Sequence, residues 1–558
     1  LANAHAGGSI AVVARYTGGL PAACCPPPAA HPACPLPWSI PMNGAESLVR
    51  SLLASKVDVC FTNPGTSEMH FVAALDRVPG MRSVLALFEG VVTGAADGYY
   101  RMADRPASTL LHLGPGLGNG IANLHNARKA SSGIVNIVGE HASWHLGYDA
   151  PLKADIEGLA RPVSRWVRTS PSSNTVGADA AAAVAAANAS PGQIATLILP
   201  GDTAWNECTA GVAEPLGVQR RPKPSNAAIE AVAKVLTRAR SEPTMLVLAG
   251  RALRADALEQ AGRIAARTGC VLATQFFSSR IERGAGRVPL YRIPYAVDLA
   301  LAALKDYRHI ITVETSEPLA FFAYPGKPSL LKPDGCQVHE LCAPGIDSLA
   351  ALEMLAEAVG GKRGDAKMQE RVDTTLPTGP LTSASIAQAL AALIPENAIV
   401  VDESVTTGRE SMGATAGAAP HDMIQNMGGS IGYSPPVAVG AAVACPDRKV
   451  ICLTGDGSAM YTIQALWTQA REGLDVLTVI FANRAYQILR NEFAGVGAGK
   501  PGPKATDMLT IDRPDLDFTA LAKGMGVAAT RVATTEDFCK AFAAGCREKG
   551  PRLIEVVL

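Results

Sequence analysis

Short segments that are apolar at nearly every residue, rather than at every second one, recur along this chain. Examples are "IVNIV" (134–138), "ATLIL" (195–199), "TMLVL" (244–248), "VICL" (450–453) and "VLTVIFA" (476–482). A strand with one face in water alternates apolar and polar residues. A continuous apolar run needs cover on both faces, and parallel strands under helices have it. Stretches of helical character, such as "ADALEQAGRIAART" (255–268) and "SASIAQALAAL" (383–393), stand between these runs. The alternation predicts an α/β protein built on parallel sheets. Two segments rich in polar residues and proline break it, "VAEPLGVQRRPKPSN" (212–226) and "GGKRGDAKMQERVDTTLPTGP" (360–380). They divide the chain into three consecutive blocks, 42–205, 225–356 and 380–558, each read as a doubly wound parallel sheet.

Composition narrows the class of function. Lysine plus arginine and aspartate plus glutamate balance at 50 each. There is no basic footprint for nucleic acid and no polybasic patch for a membrane surface. No apolar run approaches the roughly 18 residues of a membrane span. The 12 cysteines are scattered without a CxxC pair, which reads as free thiols in a reducing compartment, so a cytoplasmic location is expected. Residues 1–41 differ from the rest. They are proline-rich, as in "LPAACCPPPAAHPACPLPW", and lack acidic residues. The segment is expected to be a disordered leader or tail, such as translated upstream sequence, with Met42 as the start of the folded protein.

Ligands of open parallel sheets sit beyond the carboxyl ends of strands, and several such ends carry unusual residues here. In "VICLTGDGSAMY" Asp456 stands between two glycines, and in "VLTVIFANRAY" Asn483 ends the next strand. Asp-Gly alone is a common turn. The intervening residues 458–482, however, make one βαβ unit, so both side chains can reach one crevice. An aspartate, an asparagine and a nearby backbone carbonyl are hard oxygen donors suited to Mg²⁺ that also takes phosphate oxygens. Gly457 and Ser458 open a helix whose free N–H groups face such an anion. "ESVTTG" (403–408) after another strand adds hydroxyls. The competing phosphate motif fails, because "GPGLGNG" (114–120) does not complete GxGxxG and no GKS or GKT follows a glycine loop. In "LALFEG" Glu89 sits among apolar residues, where a carboxylate needs a specific partner.

Together these pieces resemble the thiamine diphosphate-dependent 2-oxo acid decarboxylase and carboligase family, which includes acetolactate synthase and benzoylformate decarboxylase. The matches are "GDGSAMY…FANRAY", Glu89 in "FEG", the strand-end "NPGTSE" with Asn63, Pro64 and Gly65, and Ile431 in "GGSIGY". They cover essentially all of 42–558 in the family's domain order: pyrimidine-binding, middle, then diphosphate-binding. The resemblance implies thiamine diphosphate and Mg²⁺ as cofactors. Asp456, Asn483 and the Ala485 carbonyl would hold the metal, and Gly457, Ser458, Ala459 and Thr406 would contact phosphate. Ile431 would enforce the bent cofactor, the Gly429 carbonyl would accept from its 4′-amino group, and Glu89 would bond its pyrimidine nitrogen. His112, in "HLGPGLGN", would relay protons or orient the substrate carboxylate. Thr66 and Ile488 are further candidate substrate contacts, and His141 in "GEHASWH" is a weaker one.

The implied substrate is a small 2-oxo acid that loses CO₂, yielding an aldehyde as in benzoylformate decarboxylase or a ligated product as in acetolactate synthase. The chain departs from benzoylformate decarboxylase where that enzyme has a second active-site histidine. "EPLAFFAYPGKPS" offers Phe322 or Ala323 there. The short middle block shows no clear FAD pattern, so FAD is not expected. A site shared between chains implies a homodimer or homotetramer. Two other readings remain in view: a catalytically silent paralogue, against which the intact Glu89, Asp456 and Asn483 argue, and a nucleotide-dependent oxidoreductase, against which the broken GxGxxG argues.

Overall fold

Apolar runs become strands of three separate sheets in the computed structural model, which describes residues 42–217, 219–238 and 242–558. The leader expected over 1–41 lies outside the described residues. The first sheet comprises β1 (Val59–Asn63), β2 (Arg82–Leu85), β3 (Ala107–Leu111), β4 (Ile134–Glu140), β5 (Trp166–Thr169) and β6 (Ile194–Pro200). Its order is β2-β1-β3-β4-β6-β5, and all its pairs are parallel. Every residue of β4 and β6 is buried, as continuous apolar runs require.

The second sheet holds β7 (Thr244–Leu248), β8 (Val271–Thr274), β10 (Tyr291–Arg292), β11 (His309–Val313) and β12 (Gln337–Cys342) in the order β10-β8-β7-β11-β12. The third contains β13 (Ile399–Glu403), β14 (His421–Gln425), β15 (Val450–Gly455), β16 (Val476–Ala482), β17 (Ala528–Val532) and β18 (Arg552–Val557). Its order is β17-β18-β16-β15-β13-β14-β9. The edge strand β9 (Ile281–Arg283) comes from between β8 and β10 and runs antiparallel to β14, with Met423 opposite Ile281. A strand from within the block 225–356 thus joins the sheet of the block 380–558.

Strand order reverses between β1 and β3 in the first sheet and between β13 and β15 in the third. Such reversals open a crevice at the carboxyl ends, because successive helices cross to opposite faces. Asn63 ends β1 and His112 follows β3, while Asp456 follows β15 and Thr406 follows β13. The motifs read from sequence therefore lie at two switch points.

Two helices fasten the first sheet's layer to the third's. Glu89–Ala103 packs on Ser434–Ala444, which is buried through all but its last residue and apolar all round. Gly440 permits the close crossing, since a Cβ there would lie 1.8 Å from the Ala95 carbonyl oxygen. Arg101 locks the contact. Its Nε and Nη2 meet the Asp97 carboxylate at 2.8 and 2.6 Å. Its Nη1 donates to the Gln425 carbonyl at 2.7 Å and the Tyr433 hydroxyl at 3.0 Å. Among the described residues no helix is long and apolar enough to cross a membrane, and all nine cysteines there are free.

Candidate active site

At the switch point of the third sheet lies a cavity of about 430 Å³. Thr406, Gly429, Ile431, Gly457, Ser458 and Ile488 line it, as do Asp456, Asn483 and Ala485. Nine sequence candidates thus share one enclosure. Asp456 starts the short helix Asp456–Tyr461 and is buried. Its Oδ1 accepts the Gly457 N–H at 2.8 Å and its Oδ2 accepts the Arg484 N–H at 2.6 Å. Burial pushes its carboxyl above the ordinary range, and those N–H groups only partly offset this. Arg484 has φ of 56°, a left-handed turn between Asn483 and Ala485. Pairing with the segment around Thr510 fixes that turn, through Tyr486 N–H to the Leu509 carbonyl and Ile511 N–H to the Arg484 carbonyl. Ala459 is fully buried and does not line the cavity.

The loop bearing Ile431 is held by two side chains that sequence reading did not single out. Glu403, at the end of β13, accepts N–H bonds from Gly432, Tyr433 and Ser434 at 3.0–3.1 Å, and the Ser434 hydroxyl at 3.2 Å. Its complete burial pushes the carboxyl up to about 7. Asn426 Oδ1 accepts from the N–H groups of Gly428 and Gly429, at 3.1 and 2.9 Å, and its Nδ2 donates to the Ser430 carbonyl at 2.7 Å. Thr462 Oγ1 adds a bond to the Gly432 carbonyl at 2.9 Å. The loop is therefore shaped before any ligand arrives, and the signal for Glu403 was the acidic pair Asp402–Glu403 at a strand end.

A second cluster forms at the first sheet's switch point. Glu68, whose side chain is fully buried, accepts the Gly65 N–H at 2.7 Å on Oε2, and His112 Nδ1 sits 2.8 Å from the same oxygen. Burial raises the Glu68 carboxyl, opposed by those two contacts. The bond at Nδ1 orients the ring and leaves Nε2 as its other functional edge. Gly65 makes the approach possible, since a Cβ there would lie 2.2 Å from His112 Nδ1. The "NPG" turn, with Asn63, Pro64 and Gly65, and His112 are thus one unit, and Thr66 stands exposed beside it. Glu68 was missed because nothing in "TSE" separates it from an ordinary surface acid. Glu89 opens its helix and is partly exposed, with Oε2 accepting from Asn119 Nδ2 at 3.0 Å. The partner expected for this carboxylate is that amide, from the "GPGLGNG" stretch. His141 follows β4, with its Nε2 buried and unbonded.

None of Asn63, Pro64, Gly65, Thr66, Glu89 or His112 lines the cavity of the third sheet. Within one chain the two clusters are separate. Of Phe322 and Ala323, the residues expected at the place of benzoylformate decarboxylase's second histidine, Phe322 lines the cavity and Ala323 does not.

Residues 42–159 match the family model "Thiamine pyrophosphate enzyme, N-terminal TPP binding domain", and residues 409–556 match the corresponding C-terminal TPP binding domain. The chain is 52% identical over 522 residues to a Mycobacterium tuberculosis protein named "Putative acetolactate synthase large subunit IlvX", covering 93% of this chain and 99% of that protein. It is 29% identical over 518 residues to benzoylformate decarboxylase of Pseudomonas aeruginosa, covering 89% and 95% respectively. Among solved structures it is similar to the thiamine diphosphate-dependent 4-hydroxybenzoylformate decarboxylase of Rhodococcus jostii RHA1, with a TM-score of 0.79 and 26% identity, over 92% of this chain and 99% of that one. With both cofactor-binding halves present and a 52% identical relative matched along nearly its full length, the chain belongs to the thiamine pyrophosphate-dependent enzymes.

Proposed function

We propose that this enzyme uses thiamine diphosphate and Mg²⁺ to decarboxylate a 2-oxo acid, with ligation to a second carbonyl compound as in acetolactate synthase. The observation that carries the reading is the convergence of Asp456, Asn483 and Ala485 on the cavity that also holds Ile431. The donor set fits the metal. Asp456 is buried, and among the described residues it has backbone N–H partners but no cationic side chain in salt-bridge contact. A buried carboxylate in that state is stabilised by a cation, and oxygen-only donors with room for phosphate oxygens and water suit Mg²⁺.

When bound, the cofactor supplies the electron sink that a 2-oxo acid needs to release CO₂. The protein's part is positioning and proton transfer. Asp456, Asn483 and the Ala485 carbonyl would hold Mg²⁺, while Thr406 and the amides of Gly457 and Ser458 would hold the diphosphate. Ile431 would support the bent cofactor from the loop that Glu403 and Asn426 shape, and the Gly429 carbonyl would accept from the 4′-amino group. Glu89 would exchange a proton at the pyrimidine nitrogen. His112, oriented by Glu68, would move a proton at the substrate or hold its carboxylate.

The half-sites are separate within a chain, so Glu89 and His112 of one copy would complete the cavity of another. A homodimer is the smallest assembly with a whole site, and a homotetramer doubles it. The free cysteines support a reducing compartment such as the cytoplasm. The aromatic residues of the cavity favour a second reading, release of an aldehyde as in a benzoylformate decarboxylase. The holoenzyme should be incubated with pyruvate, phenylpyruvate, benzoylformate and the dicarboxylic 2-oxoglutarate, alone and with short aldehydes, and its products identified. Ligated products support the first reading, aldehydes alone support the second, and no CO₂ from any acid would overturn both.

A further inference from the structure

The side of the cavity facing the middle sheet is made of rings. Phe276 and Phe277 stand 4.8 Å apart between centroids, Phe277 and Phe321 5.7 Å, and Tyr295 and Phe321 5.7 Å. All four line the cavity, whose lining carries two cations, Arg292 and Arg409, and Arg292 at the end of β10 is the one held against these rings. Its Nε donates to the Phe276 carbonyl at 2.6 Å, and its guanidinium carbon lies 3.6 Å from the centre of the Phe276 ring. These two contacts fix the plane of the guanidinium. Among the described residues neither terminal nitrogen of Arg292 has a hydrogen-bond partner, and no carboxylate pairs with it.

The acids that share the cavity are already engaged. Asp402 accepts from the Ser404 N–H at 3.0 Å, from the Ser404 hydroxyl, and from Gln425 Nε2 at 3.4 Å. Glu403 is spent on the Ile431 loop. Glu492 accepts the Tyr324 hydroxyl at 2.8 Å. Asp456 faces the metal position. Burial brings Arg292 down to about 10, so it remains a cation at neutral pH, with Asp402 favouring that charge from a distance. An oriented arginine with two free terminal nitrogens matches a planar carboxylate in a bidentate fork. The adjoining rings offer an apolar path to it.

We propose that Arg292 binds a second anionic group at the far end of the substrate, so that the enzyme selects 2-oxo acids carrying a distal carboxylate over those ending in an alkyl group. This rests on the 2-oxo acid reading above, and binding separates the two. Holoenzyme loaded with thiamine diphosphate and Mg²⁺ is titrated by calorimetry with 2-hydroxyglutarate and 2-hydroxybutyrate, which cannot be decarboxylated and differ by the distal carboxylate. A charge-assisted pair predicts about ten- to hundredfold tighter binding of the diacid. Arg292→Gln should erase that preference, and Arg292→Lys should retain part of it. Thiamine diphosphate affinity should be the same in all three proteins. Equal affinities in the wild type, a preference surviving in Arg292→Gln, or a matching loss of cofactor affinity would each overturn the proposal, the last by making Arg292 a diphosphate ligand. If the diacid preference holds but no 2-oxo acid releases CO₂, the proposed reaction fails while the anion site stands.

Discussion

Replacing Arg101 by methionine removes a cation buried where three segments meet. The substitution keeps most of the side chain's volume and deletes its charge. Arg101 and Asp97 have side-chain exposures of 2% and 1%, so solvent cannot replace the lost partner. Asp97 would keep only the Ser132 hydroxyl, at 2.5 Å. The carbonyls of Gln425 and Ser279 and the Tyr433 hydroxyl would lose a donor as well. Breaking one side of a buried pair costs about 3–5 kcal/mol, most of it from the charge left behind. Removing both charges, in Asp97→Asn with Arg101→Met, should recover at least half of that loss. The assay is urea unfolding followed by intrinsic fluorescence for the wild type, both single variants and the double variant. A loss below about 1 kcal/mol in Arg101→Met, or a double variant no more stable than the single one, would refute the argument that an uncompensated charge sets the cost.

Other consequences concern the sites themselves. The folded Glu403 carboxyl lies at about 7, above its ordinary 4.5, so the native state binds this proton more tightly than the unfolded chain does. Its contribution to stability is therefore greatest below pH 4.5 and declines by up to about 3 kcal/mol as pH rises through 7. The stability difference between wild type and Glu403→Gln, measured across that range, should move against the wild type, and a flat difference would contradict the assignment. Gly65→Ala places a methyl against the His112 ring and should lower kcat more than tenfold (about 1.4 kcal/mol or more) while thiamine diphosphate still binds, as equilibrium dialysis would show. Asp456→Ala should abolish Mg²⁺-dependent cofactor binding, and calorimetry finding the wild-type affinity would remove Asp456 from the metal site.

The parts legible in sequence were those whose chemistry is local. "GDG" and the asparagine one βαβ unit later occupy adjacent strand ends because β15 and β16 are neighbours in the sheet. "NPG" and His112 end β1 and β3, which are also neighbours. What stayed hidden depends on distant partners. Glu403 becomes the anchor of the Ile431 loop only through donors at residues 432–434, beyond another helix and strand. Glu68 reads as surface until the fold places His112 against it. The three residues of β9 are too few to show alternation, and their partner β14 lies far along the chain, beyond several other strands. Arg292 gave no signal because its isolation from carboxylates is a property of the assembled cavity.

Hydrogen–deuterium exchange at C2 of protein-bound thiamine diphosphate tests the central claim most directly, because the proton that Glu89 is proposed to exchange at the pyrimidine nitrogen would make the 4′-amino group the base for this carbon. Wild-type enzyme and Glu89→Gln would be compared at equal cofactor occupancy, with the exchange rate read by NMR after acid quench. Exchange should slow about a hundredfold or more in Glu89→Gln, the scale of a lost general acid–base group, while cofactor remains bound. Exchange at the wild-type rate in the variant would contradict the account.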